Sequence, residues 1–483
     1  MTYGSYRNLV NGQFVSAASG DELPVYNPAT SDEKIGSVPA MSEADLKSVF
    51  EAAAAGAKTW RRANHLDRGK VLLETARIIR SQSEDLVELI VSEMGKTRAE
   101  ATGEVTKTAE FFDYYGSMGR DSFGEFLPDG REGTFAARLV EPLGIVLLIT
   151  PWNDPLLTPA RKLGPALISG NSVVIKPASV TPMITLRLAQ ILHEAGLPAG
   201  VLGTVTGRGA DIGDELFEMP GLKAVSFTGS TSVGKRIQDK LSPRGIRVQT
   251  EMGGKNASVI MDDADLDLAL PTIMAGAFAQ AGQRCTATSR LIVQKGIASR
   301  VRERLVAAVT DLRVAPGSSE GADLGPVVDQ NAQKEIRAHI AGALDQGATL
   351  LAQRSLEDEA ASEGSFVEPT LLAVDTSHDI WRDEVFGPVL SMIEVENLDE
   401  AIDMVNDSAY GLSSAIFTRD LAAAFRFLSE ADTGQVSVNQ PTTGWDIHHP
   451  FGGFKDSGSG YKEQGHDALR FYTRVKAAAI RTH

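Results

Sequence analysis

The rhythm of apolar positions changes near Pro142. Before it, the first forty residues read as short strands and turns, NGQFV and YNPAT among them. Ser42 opens SEADLKSVFEAAAAGAKTW as a helix start, with Asp45 three residues after a serine cap. From His65 to about Gly116 the spacing is helical: Leu72, Ala76 and Ile79 recur at helix intervals, as do Leu86, Leu89 and Met94. After Pro142, GIVLLIT (144–150) is a continuous apolar run, the pattern of a strand buried on both faces. A helical stretch to about Ile168, the run SVVIKP and a helix from about Ile184 to Ala195 follow. Then come a short strand at Thr204, a helix near Ile212–Phe217, the strand AVSFTG and a helix from about Ser232. Strands alternating with helices predict an α/β protein with a parallel, doubly wound sheet of the Rossmann-like nucleotide-binding type. A second alternating region runs from about Asn256 to Asn439, with strands SVIM and RLIVQ, a helix before Cys285 and helices near 297–311 and 332–346. The C-terminal FYTRVKAAAI reads as one more strand, suited to assembly.

A chain of 483 residues is expected to form about two to four domains. Its net charge of -16 repels nucleic acid and anionic membranes, so neither is an expected partner. A single cysteine excludes an intramolecular disulfide, a CxxC redox pair and a Cys-rich zinc site. The eight histidines form no metal-ligand spacing, and no metal is implied. MTYGSYRNLVNGQFV lacks the basic-then-apolar pattern of a signal peptide, and no apolar run is long enough to span a bilayer; the expected location is the cytoplasm.

The chemistry-bearing motifs are spread along the chain. GQRCTATSR (282–290) carries the lone Cys285 with Arg284 beside it, a cation that would favour a thiolate, although a lone cysteine is more often a small buried hydrophobe. TPWNDP (150–155) follows the buried strand, where open α/β sheets bind ligands, and Asn153 there could donate to an oxyanion or simply satisfy a turn. IKPAS (175–179) ends the next strand, so Lys176 could meet a ribose or phosphate, the alternative being a surface lysine. Ser179 lacks the carboxylate that would repel a 2′-phosphate. FTGSTSVGK (227–235) joins a strand to a helix whose first N–H groups suit a pyrophosphate. TGRGADIG (206–213), with Gly209 at its centre, departs from the usual dinucleotide fingerprint and is weak by itself. TEMGGKN (250–256) ends a strand with Glu251, either a general base of raised pKa or an ordinary salt-bridged carboxylate. EVFGPVL (384–390) and HPFGGFKDSG (449–458) add glutamate and glycine–aromatic turns.

In this order the segments TPWN, KPAS, FTGSTSVGK, EMGGK, GQRC, EVFGPV and PFGGFKDSG resemble the aldehyde dehydrogenase superfamily over nearly the whole chain. The resemblance implies a cofactor domain from 1–121 and 143–253, a catalytic domain from 254–465, and an oligomerisation arm from 122–142 and 466–483. It implies a homodimer or homotetramer, NAD or NADP as cofactor, and an aldehyde as substrate. Carried over by position, Cys285 is the nucleophile, Asn153 the oxyanion donor and Glu251 the general base. Lys162 and Glu463 match a proton-relay pair. Ile149, Thr150, Pro151, Trp152, Lys176, Ser179, Gly209, Phe227, Thr228, Gly229, Ser230, Glu384 and Phe386 match cofactor-side positions. The presence of Glu251 favours hydrolytic release over transfer to coenzyme A. Ser179 stands where many NAD-specific members carry glutamate, so NADP is expected to be accepted.

Substrate-side positions are Asp154, Arg161, Arg284, Thr286, Trp445 and Phe451. Asp154 replaces a common phenylalanine. Arg161 matches an arginine that grips the substrate carboxylate in succinate-semialdehyde dehydrogenases, whose second arginine is replaced here by Ala279. Asp154 and Arg161 lie seven apart and could share a helix face, in which case Asp154 would neutralise Arg161. GQRCTATSR and VNQPTTGWDIHHPFGG look most like 2,5-dioxopentanoate dehydrogenases, with Trp445 and Ile447 in the funnel or in the core. The expectation is a small polar or anionic semialdehyde. An aromatic or aliphatic aldehyde, an esterase without redox function and an inactive structural relative stand as alternatives.

Overall fold

The computed structural model describes residues 3–31, 33–121, 123–356 and 363–481. The apolar run after Pro142 becomes the middle of a five-stranded parallel sheet. Its order is Leu202–Thr204, Ser172–Lys176, Ile145–Ile149, Leu222–Thr228, Arg247–Glu251. The chain builds outward from Ile145–Ile149 to one edge, then returns to lay Leu222–Thr228 on the other side of it. That reversal leaves a crevice between the carboxyl ends of these two strands, the switch point where such sheets bind ligands. Both strands are largely buried, Ile145–Ile149 as its unbroken apolar run requires, while Leu222–Thr228 exposes Lys223 near its start.

A short link, Met252–Lys255, leads from Glu251 to the second sheet. Seven strands lie there in the order Thr349–Gln353, Thr370–Ala373, Val389–Val395, Thr288–Gln294, Asn256–Ile260, Ser413–Phe417, Gln435–Val438. All neighbours are parallel except the first pair. The helical region before Pro142 resolves into helices His65–Ser81, Ser83–Met94 and Arg98–Ser117, with Gly95 at φ +86° turning the chain between the last two. Ser42 and Asp45 form the anticipated capping box of helix Glu43–Arg62. The C-terminal strand Thr473–Arg481 pairs antiparallel with Thr134–Pro142, which pairs with Gly124–Leu127. This three-stranded sheet is built from the segments expected to form an arm, of which residues 122 and 482–483 lie outside the described residues.

Helix Leu157–Ile168 connects the first two strands of the five-stranded sheet and crosses helix Arg98–Ser117 at close range. Gly164 permits the approach: a Cβ there would stand 2.4 Å from Cδ2 of the buried Tyr115. Gly164→Ala is expected to destabilise the protein by about 1–3 kcal/mol through overpacking, read as a lower midpoint in thermal unfolding, because the Tyr115 ring has no room to retreat.

Candidate active site

A cavity of about 720 Å³ opens between the two sheets. Its floor is Cys285, and the route to that floor is a costly piece of backbone. Helix Leu266–Phe278 ends, and Gln280, Ala281 and Gly282 then take positive φ of 53°, 53° and 71°. Left-handed backbone costs a side-chain-bearing residue roughly 1–2 kcal/mol. Gly282 allows no substitute, since a Cβ would lie 2.1 Å from the Gly387 carbonyl oxygen. Asn256, opening the strand after the sheet-to-sheet link, donates to the carbonyls of Cys285 (2.8 Å) and Ala287 (2.9 Å) and fixes the far side of the loop.

Asn153 enters from the first sheet, four residues past Ile149. It is buried, and its amide Nδ2 donates to the Gln283 carbonyl at 2.9 Å. An amide carries two hydrogens, so one remains for a substrate oxygen. Thr150, Pro151, Trp152, Thr228, Gly229, Ser230, Glu384 and Phe386 line the same cavity, as do Ile149 and Phe227. Trp152 and Phe386 meet edge to face at 5.4 Å, Phe386 at φ +54°. Asp154, Arg161, Arg284, Thr286, Trp445 and Phe451, the positions expected on the substrate side, line the cavity too. Ile447 instead packs against the core.

Several predicted residues stand outside the lining. Lys176 is buried at the end of its strand, with only the Pro177 carbonyl near its ammonium (3.3 Å), and burial lowers its pKa to about 8. Ser179 donates to the Gly207 carbonyl at 3.1 Å, beside Gly209, which begins helix Gly209–Glu218. Glu251, against Gly452, is buried, as are Lys162 and Glu463, whose charges act on it; Lys162 bonds Glu463 and, at 2.7 Å, Ser226. Both oxygens of Glu251 are buried without a hydrogen-bond partner. Burial first, then Glu463, pushes its carboxyl well above the ordinary range, against the pull of Lys162, Lys462 and Arg161.

The structure corrects two expectations about charge. The cation that favours a Cys285 thiolate is Arg161, not the adjacent Arg284, which turns away and donates to Gln280. Asp154 does not neutralise Arg161. It precedes the helix and is claimed by Lys96 at 2.6 Å, whereas Arg161 lies 3.8 Å from Glu463 and 4.4 Å above the Phe451 ring. Lys96, Phe111, Gln280 and Gln464 escaped the sequence reading. The first two sit inside a helical region whose pattern signals only core, and Gln464 is marked in the sequence only by following Glu463.

The pocket fits a dinucleotide. Glycines let its wall side chains settle in place: a Cβ on Gly253 would fall 1.9 Å from Glu384 Oε2, and one on Gly229 2.6 Å from the Phe227 ring. Helix Thr231–Leu241 begins at Ser230 with no side-chain cap, leaving its N–H groups for a pyrophosphate. Buried Lys176 and Glu384, the latter with a pKa raised by burial to about 7, offer a donor and an acceptor for ribose hydroxyls.

The fold and this site agree with one family. Residues 14–478 match the sequence profile of the aldehyde dehydrogenase family, and the chain belongs to it. Membership makes the activity NAD(P)-dependent oxidation of an aldehyde. Among its relatives, the α-ketoglutaric semialdehyde dehydrogenase of Bacillus subtilis is 37% identical over 479 residues, covering 99% of this chain and 98% of the relative. The 2,5-dioxopentanoate dehydrogenase of Saccharolobus solfataricus is 39% identical over 462 residues, covering 95% and 96%. A crystal structure of betaine aldehyde dehydrogenase from Staphylococcus aureus in complex with NAD+ superposes with TM-score 0.96 at 31% identity, covering 99% of this chain and 95% of that one.

Burial pushes the Cys285 thiol up to about 12, and Arg161 reverses only part of that. Alkylation of the free enzyme by iodoacetamide is therefore expected to accelerate about tenfold per pH unit from pH 6 to 10, since only the thiolate reacts. A plateau near pH 7 would show a thiolate already formed without ligand.

Proposed function

We propose that this chain oxidises a small anionic semialdehyde, 2,5-dioxopentanoate in particular, to the carboxylic acid. The observation that carries this is Arg161. Its guanidinium borders the Cys285 cavity, stacked near Phe451 and Phe111, with Nε buried and unpartnered. Among the described residues the one carboxylate within ion-pair distance, Glu463, is 3.8 Å away and already bonded to Lys162. A cation held by aromatic faces and short of acceptors is a receptor for a substrate carboxylate. The names of the relatives from B. subtilis and S. solfataricus support the same substrate.

The geometry supports the following residue roles. Cys285 attacks the aldehyde carbon, and the remaining amide hydrogen of Asn153 meets the oxyanion that forms. The bound nicotinamide supplies the acceptor for the hydride the carbon must lose. Cys285 then carries a thioester. Glu251, whose surroundings raise its proton affinity, takes a proton from water as that water attacks the thioester, and Lys162 and Glu463 lie behind it to pass the proton on. Lys176 and Glu384 hold the riboses, and Ser230 with its helix holds the pyrophosphate. The division into cofactor domain (1–121, 143–253), catalytic domain (254–465) and arm gives the five-stranded sheet to the first, the seven-stranded sheet to the second and the C-terminal three-stranded sheet to the third. A nucleophilic thiol must stay reduced, which supports a cytoplasmic location.

The arm supports self-association. Phe126, Val475 and Ile480 expose 76%, 59% and 58% of their surface on two of its three strands, a large apolar display for a small sheet. A homodimer or homotetramer is expected by light scattering, and a monomeric mass would overturn it.

The activity is tested by NAD(P)H formation from succinate semialdehyde, 2,5-dioxopentanoate, benzaldehyde and hexanal, with Cys285→Ala as control. Turnover of a semialdehyde is expected to dominate and to vanish in the control. Arg161→Ala is expected to raise KM for the anionic semialdehydes at least about tenfold, the loss of a charge-assisted contact, and to spare neutral aldehydes. Equal effects on both would remove the carboxylate role, and faster turnover of benzaldehyde or hexanal would move the assignment to Trp445 as an apolar wall.

A further inference from the structure

Asp154 and Gln280 do something that the reaction scheme above leaves unused. Gln280 sits on the first left-handed residue before Cys285, and all its polar atoms are committed. Its backbone N–H donates to Glu100 Oε1 at 2.6 Å. Its side-chain Nε2 donates to Asp154 Oδ1 at 3.0 Å and approaches the Asn153 carbonyl at 3.4 Å. Its side-chain Oε1 accepts from Arg284 Nε, and its carbonyl accepts from Gln283 Nε2 at 3.0 Å. One side chain thus joins the residue after Asn153 to the residue before Cys285.

Asp154 is the other half of the join. Its Oδ1 also accepts from Lys96 Nζ at 2.6 Å. Lys96 is wholly buried and holds Glu104 as well, at 2.5 Å. The second oxygen of Glu104 accepts the backbone N–H groups of Leu156 (2.9 Å) and Leu157 (3.0 Å), the start of the helix that follows Asn153. Burial opposes a charge on Asp154, but Lys96 and then Arg284 hold its carboxyl well below the usual carboxylate range. The first turns of helix Arg98–Ser117, with Lys96 just before it, therefore grip both the Asn153 segment and the Cys285 loop. No ligand of the reaction is needed to hold this arrangement together.

We propose that Asp154 and Gln280, clamped by Lys96, are positioning residues that set the separation between the Asn153 amide and Cys285. This rests on the roles given to Asn153 and Cys285 above. The physical need is plain. A left-handed residue persists only where its surroundings over-determine it, and an oxyanion donor works only when held in place before the charge develops. A displacement of about 1 Å at a reacting centre can cost roughly a hundredfold in rate. The clasp supplies both constraints through one hydrogen bond.

The test is a double-mutant cycle in steady-state kinetics with Asp154→Leu, Gln280→Ala and both together. Each single change is expected to lower kcat roughly 10- to 100-fold while KM for NAD(P) stays within about twofold. The double change is expected to be no worse than the worse single, because both break the same bond. Asp154→Asn keeps an oxygen for Gln280 and Lys96 and is expected to recover most of kcat. Should the alanine or leucine variants fail to fold, judged by circular dichroism and cofactor-induced quenching of tryptophan fluorescence, Gln280→Glu serves instead. It keeps the acceptor for Arg284 but sets a carboxylate against Asp154, and it is expected to lower kcat at least as far. Losses that multiply in the double variant, or an undiminished kcat in the singles, would overturn the clasp and leave the roles of Cys285 and Asn153 standing. Activity surviving in Cys285→Ala or undiminished in Asn153→Ala would instead overturn those roles.

Discussion

Three consecutive residues in left-handed backbone, Gln280, Ala281 and Gly282, put Cys285 at the floor of its cavity, and much of the surrounding structure serves to keep them there. A helix cannot run straight into a reactive thiol that must also face two sheets. The chain therefore leaves helix Leu266–Phe278 by a turn that ordinary residues resist. Gly282 lies directly against Gly387, and Gln283 ties the turn forward to Val328 through its side-chain oxygen at 2.9 Å. The strain is local, and the hydrogen bonds that offset it come from distant parts of the sequence.

The same economy governs charge. Two groups of buried or nearly buried charge surround the cavity. Lys96 with Glu104 and Asp154, and Lys162 with Glu463, are compensated within the protein. Lys176, Glu384, Arg161 and Glu251 are buried or nearly so without a close ion pair of their own, and burial moves Lys176 down and Glu384 and Glu251 up. Uncompensated buried charge is costly. It persists here at the positions that the proposed function assigns to ribose, substrate carboxylate and water. Elsewhere Glu93, Arg68 and Arg290 are buried with hydrogen bonds to backbone groups alone.

Two sheets share the work without duplicating it. The five-stranded sheet offers carboxyl-end loops at its switch point, and the seven-stranded sheet offers the cysteine loop and Glu384. The glycines of Met252–Lys255 let the two meet, since any side chain at 253 would strike the Glu384 carboxylate. A cofactor lying across one sheet and an aldehyde reaching the other are thereby brought to a common point.

Much of this was legible in the residues alone. The unbroken run GIVLLIT marked a strand buried on both faces, because no exposed strand can afford that pattern. Alternation of such runs with helical spacing marked the α/β class, and the ordered motifs marked Cys285, Asn153 and Glu251. What the sequence could not settle was which charge faces which. Arg284 is adjacent to Cys285 in the chain, yet its side chain turns to Gln280, and Arg161, 124 residues away by number (285 − 161), supplies the nearby cation. Asp154 and Arg161 have helical spacing, but the helix begins only at Leu157, so they share no face, and Lys96 takes Asp154 from a helix boundary 58 residues earlier. Local pattern determines which segments are strands and helices because backbone geometry repeats over a few residues. Electrostatic partners are chosen by distance in space, and that is decided only when the elements pack.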